Sequence, residues 1–218
     1  AFAKIWLGTG GILDPVSVNA ERTIGKKYDE MIASGIDGFW TDLGEPEADA
    51  PGAFFGGVGM KEFHNYYNRE WSRLIYRHLA RTNPQLRVFN LTRSGWTGSG
   101  AYGVSHWSGD VKSSFDSLAF QIGLGINDSY AGFSYFGTDV GGFAGTPSGE
   151  LFTRWYQFGA FTPVFRAHGS DSDREPWRYG GEGEQYDARI KYITLRYKLM
   201  PYIYSSAWQT AKNGVPMM

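Results

Sequence analysis

The sequence contains no cysteine. Disulfide bonds, thiolate nucleophiles and cysteine-ligated zinc are therefore excluded, and the redox compartment stays open. Histidine is scarce: His64, His78, His106 and His168 are the only four, and no spacing among them resembles a zinc motif. No window reaches the ~18 apolar residues of a membrane span. Neither sign of charge dominates, with 21 basic and 22 acidic residues for a net charge of −1. That balance gives no electrostatic basis for binding nucleic acid or a membrane surface. Gly8-Thr9-Gly10-Gly11 lacks the spacing and the acidic partner of a dinucleotide fingerprint. No signal-peptide pattern follows Ala1. What is abundant is aromatic and glycine content: 8 Trp, 14 Tyr, 15 Phe and 30 Gly in 218 residues. Aromatic side chains fit a site that stacks on the flat faces of sugar rings, and they fit a dense core equally well. The length is enough for one domain with a sizeable core.

Apolar runs alternate with helical patterns along the chain. Strands are expected near 36–42, 87–92, 104–107, 132–138 and 162–167, with a possible strand end in the apolar cluster Phe2 to Leu7 and a glycine-rich turn from Gly8 to Gly11. Between them, helices are expected over Ser17–Ser34, Met60–Arg81, Ser113–Ile126, Ser148–Phe158 and Tyr186–Ala211. Ser17 is placed to cap the first helix and Gly35 to end it. Ile24, Tyr28, Met31 and Ile32 form the inner stripe of that helix, and Phe63, Tyr67, Leu74, Ile75 and Leu79 that of the second. Asn83-Pro84 ends the second helix, and Pro201 bends or breaks the last one. A loop over residues 46–59 is expected to lie over the strand ends.

Strand and helix in alternation argue for a parallel sheet with helical crossovers. The fold class is α/β, a (β/α)8 barrel. Only about five strands are clear, whereas a closed barrel takes about 250 residues. The chain is therefore expected to be a partial barrel that lacks the first strands. Residues 1–218 form that partial catalytic domain, and residues 186–218 supply its last helix and an exit toward a C-terminal β domain.

Most of these strands end in a polar or charged residue: Asp42, Arg93, Asp110, Asp139 and His168. Parallel strands bring such residues to one rim, where barrels place reactive groups. Two carboxylates on one rim can divide glycoside hydrolysis: one attacks the anomeric carbon, the other protonates the leaving oxygen and then activates water. Asp42, behind Trp40, and Asp110, behind Trp107, are the candidate pair. Arg93 and Arg166 could hold the nucleophile in its ionised form. Each assignment has a plainer competitor. Asp42 could cap a turn or bond an arginine, Asp110 could cap a helix, and Asp139 could sit in a structural glycine-rich turn. Glu45 is read as a partner that orders the loop rather than as a second acid. His106 is read as packing or orienting its neighbours, and His64 and His78 as surface or packing residues. Asp171, Asp173 and Arg174 read as a solvated loop.

The residues themselves resemble glycoside hydrolase family 31, the α-glucosidase and α-xylosidase family. The resemblance rests on Trp40-Thr41-Asp42-Leu43-Gly44-Glu45-Pro46, Arg93-Ser94-Gly95, His106-Trp107-Ser108-Gly109-Asp110 and Thr138-Asp139-Val140-Gly141-Gly142-Phe143. Arg154-Trp155-Tyr156-Gln157-Phe158-Gly159, Arg166-Ala167-His168-Gly169 and Arg174-Glu175-Pro176-Trp177 complete it, in the family's order. It implies a retaining mechanism with Asp42 as nucleophile and Asp110 as general acid/base. It also implies that Arg93, Trp107, Asp139, Phe143, Arg166 and His168 line the pocket for the terminal sugar, with Trp40 and Leu43 flanking the nucleophile. Neither a metal nor an organic cofactor is required. The expected partners are an oligosaccharide or α-glucoside substrate and the remainder of the parent chain, an N-terminal β-sandwich and early barrel strands.

At the nucleophile many α-glucosidases of the family read Trp-Ile-Asp-Met-Asn-Glu, and α-xylosidases often read Lys-Thr-Asp-Phe-Gly-Glu. This chain is similar instead to a bacterial branch that includes oligosaccharide α-glucosyltransferases. The expected function is a retaining hydrolase of terminal α-glucosidic bonds. An α-glucosyltransferase and an α-xylosidase are its rivals, and an inactive or binding-only barrel fragment is a rival of another class.

Overall fold

The computed structural model describes residues 2–5, 8–46, 50 and 52–218. Trp6 and Leu7 of the first expected strand, and Glu47 and Pro51 of the expected loop, lie outside the described residues. The chain divides into two compact units, Ala1–Val104 and Ser105–Met218.

In the first unit, β1 (Phe2–Ile5) and β2 (Gly8–Gly11) pair antiparallel. The glycine-rich stretch expected as a turn is thus a strand, fully exposed and held by its ladder rather than by apolar burial. Helix α1 (Val18–Ala33) starts at Ser17, whose Oγ accepts from Ala20 N–H at 3.5 Å. It ends at Gly35, with φ of 99°, through Gly35 N–H to Ile32 O (3.0 Å) and Ile36 N–H to Met31 O (3.2 Å). This is a Schellman-type stop. It draws Ile36 into the helix end, so β3 covers only Phe39–Trp40. The buried strand expected from residue 36 is accordingly short, with Ile36 and Trp40 42% and 47% exposed. Met31, expected on the inner stripe of α1, is also exposed.

β4 (Phe54–Phe55) and β5 (Val58–Gly59) form a hairpin. Its turn residues Gly56 and Gly57 have φ of 57° and 88°, which glycine adopts without penalty. The hairpin inserts Phe55 into a cluster with Ala50, Ala53, Met60, Phe63 and Tyr67. The expected helix over Met60–Arg81 is split into α2 (Met60–Phe63), a 3₁₀ turn (His64–Tyr66) and α3 (Tyr67–Thr82). Leu74, Ile75 and Leu79 of α3 pack with Tyr28 of α1. Buried His78 joins the same two helices, bonding Asp29 through Nε2 at 2.9 Å. β6 (Asn90–Thr92) runs parallel to β3, pairing Phe39 with Asn90 and Trp40 with Leu91.

The second unit carries β7 (Val104–Trp107) apart from its first residue, then α4 (Phe115–Tyr130), β8 (Phe136–Val140), α5 (Gly149–Gly159) and β9 (Val164–Ala167). Serine caps start both helices: Ser114 Oγ accepts from Ser117 N–H at 3.1 Å and Ser148 Oγ from Leu151 N–H at 3.2 Å. β8 pairs parallel with both β7 and β9. It begins later than expected because Phe133 N–H closes the end of α4 on Asp128 O at 2.8 Å. The core sets Val140 against Leu118, Leu151, Phe152, Trp155 and Tyr156. Trp155, Phe152 and Val140 have no exposed surface, and truncating such an aromatic to alanine costs about 3–5 kcal/mol. The last helical stretch is two helices, α6 (Glu184–Lys198) and α7 (Met200–Asn213), divided at Leu199. Pro201 falls in the first turn of α7, where its missing N–H leaves no helical bond unmade.

Parallel strands alternate with helices, except that β6 leads to β7 through a 3₁₀ turn (Ser99–Tyr102) alone, and this gives the expected partial (β/α) barrel architecture. No helix among the described residues is long and apolar enough to cross a membrane.

Candidate active site

In the first unit, β3 delivers Asp42 into a tight turn. Leu43 has φ of 58°, the one positive φ of a non-glycine side chain among the described residues. That conformation costs roughly 1–2 kcal/mol. It aims Leu43 N–H at Asp42 Oδ1, 2.8 Å away. Gly44 must lack a side chain, since a Cβ there would stand 2.1 Å from Asn68 Nδ2. From the end of β6, Arg93 Nε reaches the same Asp42 Oδ1 at 3.3 Å and donates to Glu45 Oε1 at 2.5 Å. Trp40, Asp42, Leu43, Glu45 and Arg93 are thus brought together. Glu45 is placed on Arg93, as a loop-ordering partner would be.

A buried polar ring lies behind this group. Thr41 Oγ1 donates to Asn90 Oδ1 (3.0 Å), Asn90 Nδ2 to Ser72 Oγ (3.2 Å), Ser72 Oγ to Asn68 Oδ1 (3.3 Å) and Asn68 Nδ2 to Thr92 Oγ1 (2.6 Å). Thr92 Oγ1 closes the ring on Thr41 O at 3.2 Å. Thr41 precedes Asp42 and Thr92 precedes Arg93, so the ring fixes the two points from which both side chains leave. The sequence signal was two polar residues, Asn68 and Ser72, one turn apart on the inner side of α3.

In the second unit, buried Trp107 ends β7, and Asp110 follows Gly109, whose φ is 76°. Asp110 is exposed. The cap of α4 is Ser114, so the plainer reading of Asp110 as a helix cap does not hold. Asp139, wholly buried, pairs with Arg166, and the Arg166 guanidinium lies 5.4 Å from the Trp107 ring. The rings of Phe143 and His168 stand 5.4 Å apart. Trp107, Asp139 and Arg166 therefore form one group, and Phe143 and His168 a second. His106 alternates with Trp107 along β7 and takes the packing role expected of it, its ring 4.3 Å from that of Phe133. Burial lowers its pKa to about 4.

Of the stretch expected to be solvated, Asp171 and Asp173 are exposed and Arg174 is not. Arg174 is 5% exposed and bonds backbone carbonyls of neighbouring loops. Asp171 stays at the surface. Bonds from Gly145 N–H and Ser170 Oγ hold its carboxyl below the usual range. With His168, Asp171 and Arg174 line a cavity of about 530 Å³. Polarity alone did not separate a buried guanidinium from a solvated one. The signal that could have done so is the glycine-rich surroundings that Arg174 needs.

Comparison with known proteins agrees with these motifs. Residues 1–206 match the glycosyl hydrolases family 31 TIM-barrel domain. An α-xylosidase of Saccharolobus solfataricus is 39% identical over 198 residues, covering 84% of this chain and 26% of that protein. Alpha-glucosidase 2 of Bacillus thermoamyloliquefaciens is 33% identical over 233 residues, covering 100% of this chain and 29% of that protein. Among solved structures, the cycloalternan-forming enzyme from Listeria monocytogenes, in complex with a pentasaccharide substrate, superposes with a TM-score of 0.88 at 31% identity. That match covers 99% of this chain and 21% of the enzyme. The chain spans between a quarter and a third of the two curated relatives. On the family match over nearly its whole length, the chain belongs to glycosyl hydrolase family 31 and lies in that family's TIM-barrel domain.

Proposed function

We propose that the full-length protein is a retaining α-glycosidase that removes terminal α-glucosyl units from oligosaccharides. The observation that carries this reading is the environment of Asp42. Its Oδ1 accepts from Leu43 N–H at 2.8 Å and faces Arg93 Nε at 3.3 Å, which leaves Oδ2 to attack. In the first step Oδ2 bonds to the anomeric carbon while the glycosidic C–O bond breaks, and Asp110 gives its proton to the leaving oxygen. In the second step Asp110 takes a proton from water, the water oxygen bonds to the anomeric carbon, and Asp42 leaves as carboxylate. Arg93, Asp139, Arg166 and His168 bond the hydroxyls of the terminal sugar. Trp40, Leu43, Trp107 and Phe143 cover its apolar faces.

The anomer released first, followed by proton NMR before mutarotation, tests retention. α-Glucose supports the reading, and β-glucose overturns it.

A second reading, α-xylosidase activity, is favoured by the 39% identity to the α-xylosidase of Saccharolobus solfataricus. Rates on matched aryl α-glucoside and α-xyloside substrates decide between the two. Transfer to sugar in place of water keeps the same covalent intermediate. Longer oligomers instead of free glucose from maltooligosaccharides would establish it.

A further inference from the structure

Arg174 belongs to the irregular stretch between β9 and α6, yet its guanidinium is buried and reaches three loops. From the loop after β7 it contacts Ser113, with Nη2 donating to Oγ at 3.3 Å. From the loop after β8, Gly142 O accepts from Nε (3.1 Å) and Nη2 (2.7 Å), and Gly145 O accepts from Nη2 at 2.8 Å. Within its own loop Nη1 donates to Ser172 O at 2.7 Å and Tyr179 OH at 3.1 Å. All of these acceptors are neutral oxygens. The fixed fork of the guanidinium acts here as a geometric template.

The glycines of the neighbouring motifs fit this template. A Cβ on Gly141 would stand 2.8 Å from Arg174 Cδ, and one on Gly169 2.5 Å from Arg174 Cζ. A Cβ on Gly142 would stand 2.6 Å from Ser113 Cα. The glycines following Asp139 and His168 are thus absences of side chain that let Arg174 and the Asp110 loop pass. Ser113 is bound in as well, with Oγ donating to Gly141 O at 2.8 Å and N–H to Ala144 O at 2.8 Å. Val111 O, adjacent to Asp110, accepts from Phe143 N–H at 2.7 Å.

We propose that Arg174 is a positioning residue for the reaction. It locks the loop that carries Asp110 to the loops after β8 and β9, which carry Phe143 and His168, and so sets where the acid/base stands over the bound sugar. It acts through Ser113 and the Gly142 and Gly145 carbonyls. This inference rests on the assignment of Asp110 as general acid/base.

The test uses the full-length protein and two α-glucosides, one with an activated aryl leaving group and one with an unactivated sugar leaving group. Arg174→Ala is expected to lower kcat/KM, which reports the first step alone, on the unactivated substrate by about 100-fold, the scale of a misplaced catalytic group, and clearly less on the activated one. Guanidinium chloride well below unfolding concentrations is expected to restore part of the loss in Arg174→Ala and none in Asp110→Ala. Equal losses on both substrates, the signature of a merely structural role, overturn the inference whatever guanidinium does. If Arg174→Ala is unfolded or without measurable turnover, Ser113→Ala takes its place under the same criterion, with a smaller skew expected. Asp110→Ala separates the two levels. A skew there with none in the Arg174 or Ser113 variant overturns the positioning role alone. Equal losses in Asp110→Ala remove the assignment beneath it.

Discussion

Asp139 and Arg166 are register partners on the parallel strands β8 and β9, and their side chains close on each other as an ion pair with Asp139 wholly buried. Removing one member of a buried pair costs about 3–5 kcal/mol, because the other charge stays desolvated. Asp139→Leu is expected to lose that much stability in urea unfolding. Asp139→Leu combined with Arg166→Met is expected to recover most of it. Strictly additive losses would contradict the coupling.

Glu45 holds Arg93, and Arg93 in turn faces Asp42. Glu45→Gln keeps the shape and removes the charge that anchors Arg93 Nε. A folded Glu45→Gln protein is expected to lose about 100-fold in kcat, the scale of a misplaced group, with equal losses for activated and unactivated leaving groups. An unchanged kcat would show that Arg93 needs no such anchor. A loss confined to poor leaving groups would instead make Glu45 an acid.

Gly44 and Asn68 fit only in their present combination, with 2.1 Å between a Cβ at Gly44 and Asn68 Nδ2. Gly44→Ala is expected to break the polar ring behind Asp42 and to destabilise by roughly 1–3 kcal/mol through overpacking. Asn68→Ala frees the space at Gly44 while breaking the same polar ring, so Gly44→Ala with Asn68→Ala is expected to lower the thermal midpoint by less than the sum of the two single losses. Strictly additive losses contradict the steric account.

His106 couples stability to pH. Its ordinary value is 6.5, and burial lowers it to about 4 in the folded chain. Above pH 6.5 both states hold it neutral and the coupling vanishes. As pH falls from 6.5 toward 4 the unfolded chain binds a proton that the folded chain refuses, so stability drops by an amount on the order of 3 kcal/mol. His106→Gln is expected to lose that part of the slope between pH 7 and pH 4.5 in urea midpoints. Parallel slopes would show that His106 is not its source.

What was legible in the sequence was local. Ser17 and Gly35 announce the ends of α1 because caps are made within a few residues. The apolar runs before Asp42, Asp110 and His168 announce strands, and the motifs announce the family. The strand limits were less legible: Ile36 is taken by the helix stop, and β2 is a ladder of glycines with no apolar pattern to read. Arg174 and the ring through Asn68 were hidden for a different reason. A polar side chain reads the same whether its acceptors are water or carbonyls from loops tens of residues away, and only the folded chain brings Gly142, Gly145 and Ser113 to one guanidinium.

The covalent bond to sugar is assigned to Asp42. Trapping the full-length enzyme with a fluorinated α-glucoside whose glycosyl-enzyme hydrolyses slowly, followed by proteolysis and peptide mapping, tests that assignment most directly. A single label on Asp42 is expected. A label on Glu45, Asp110 or any other residue would contradict it.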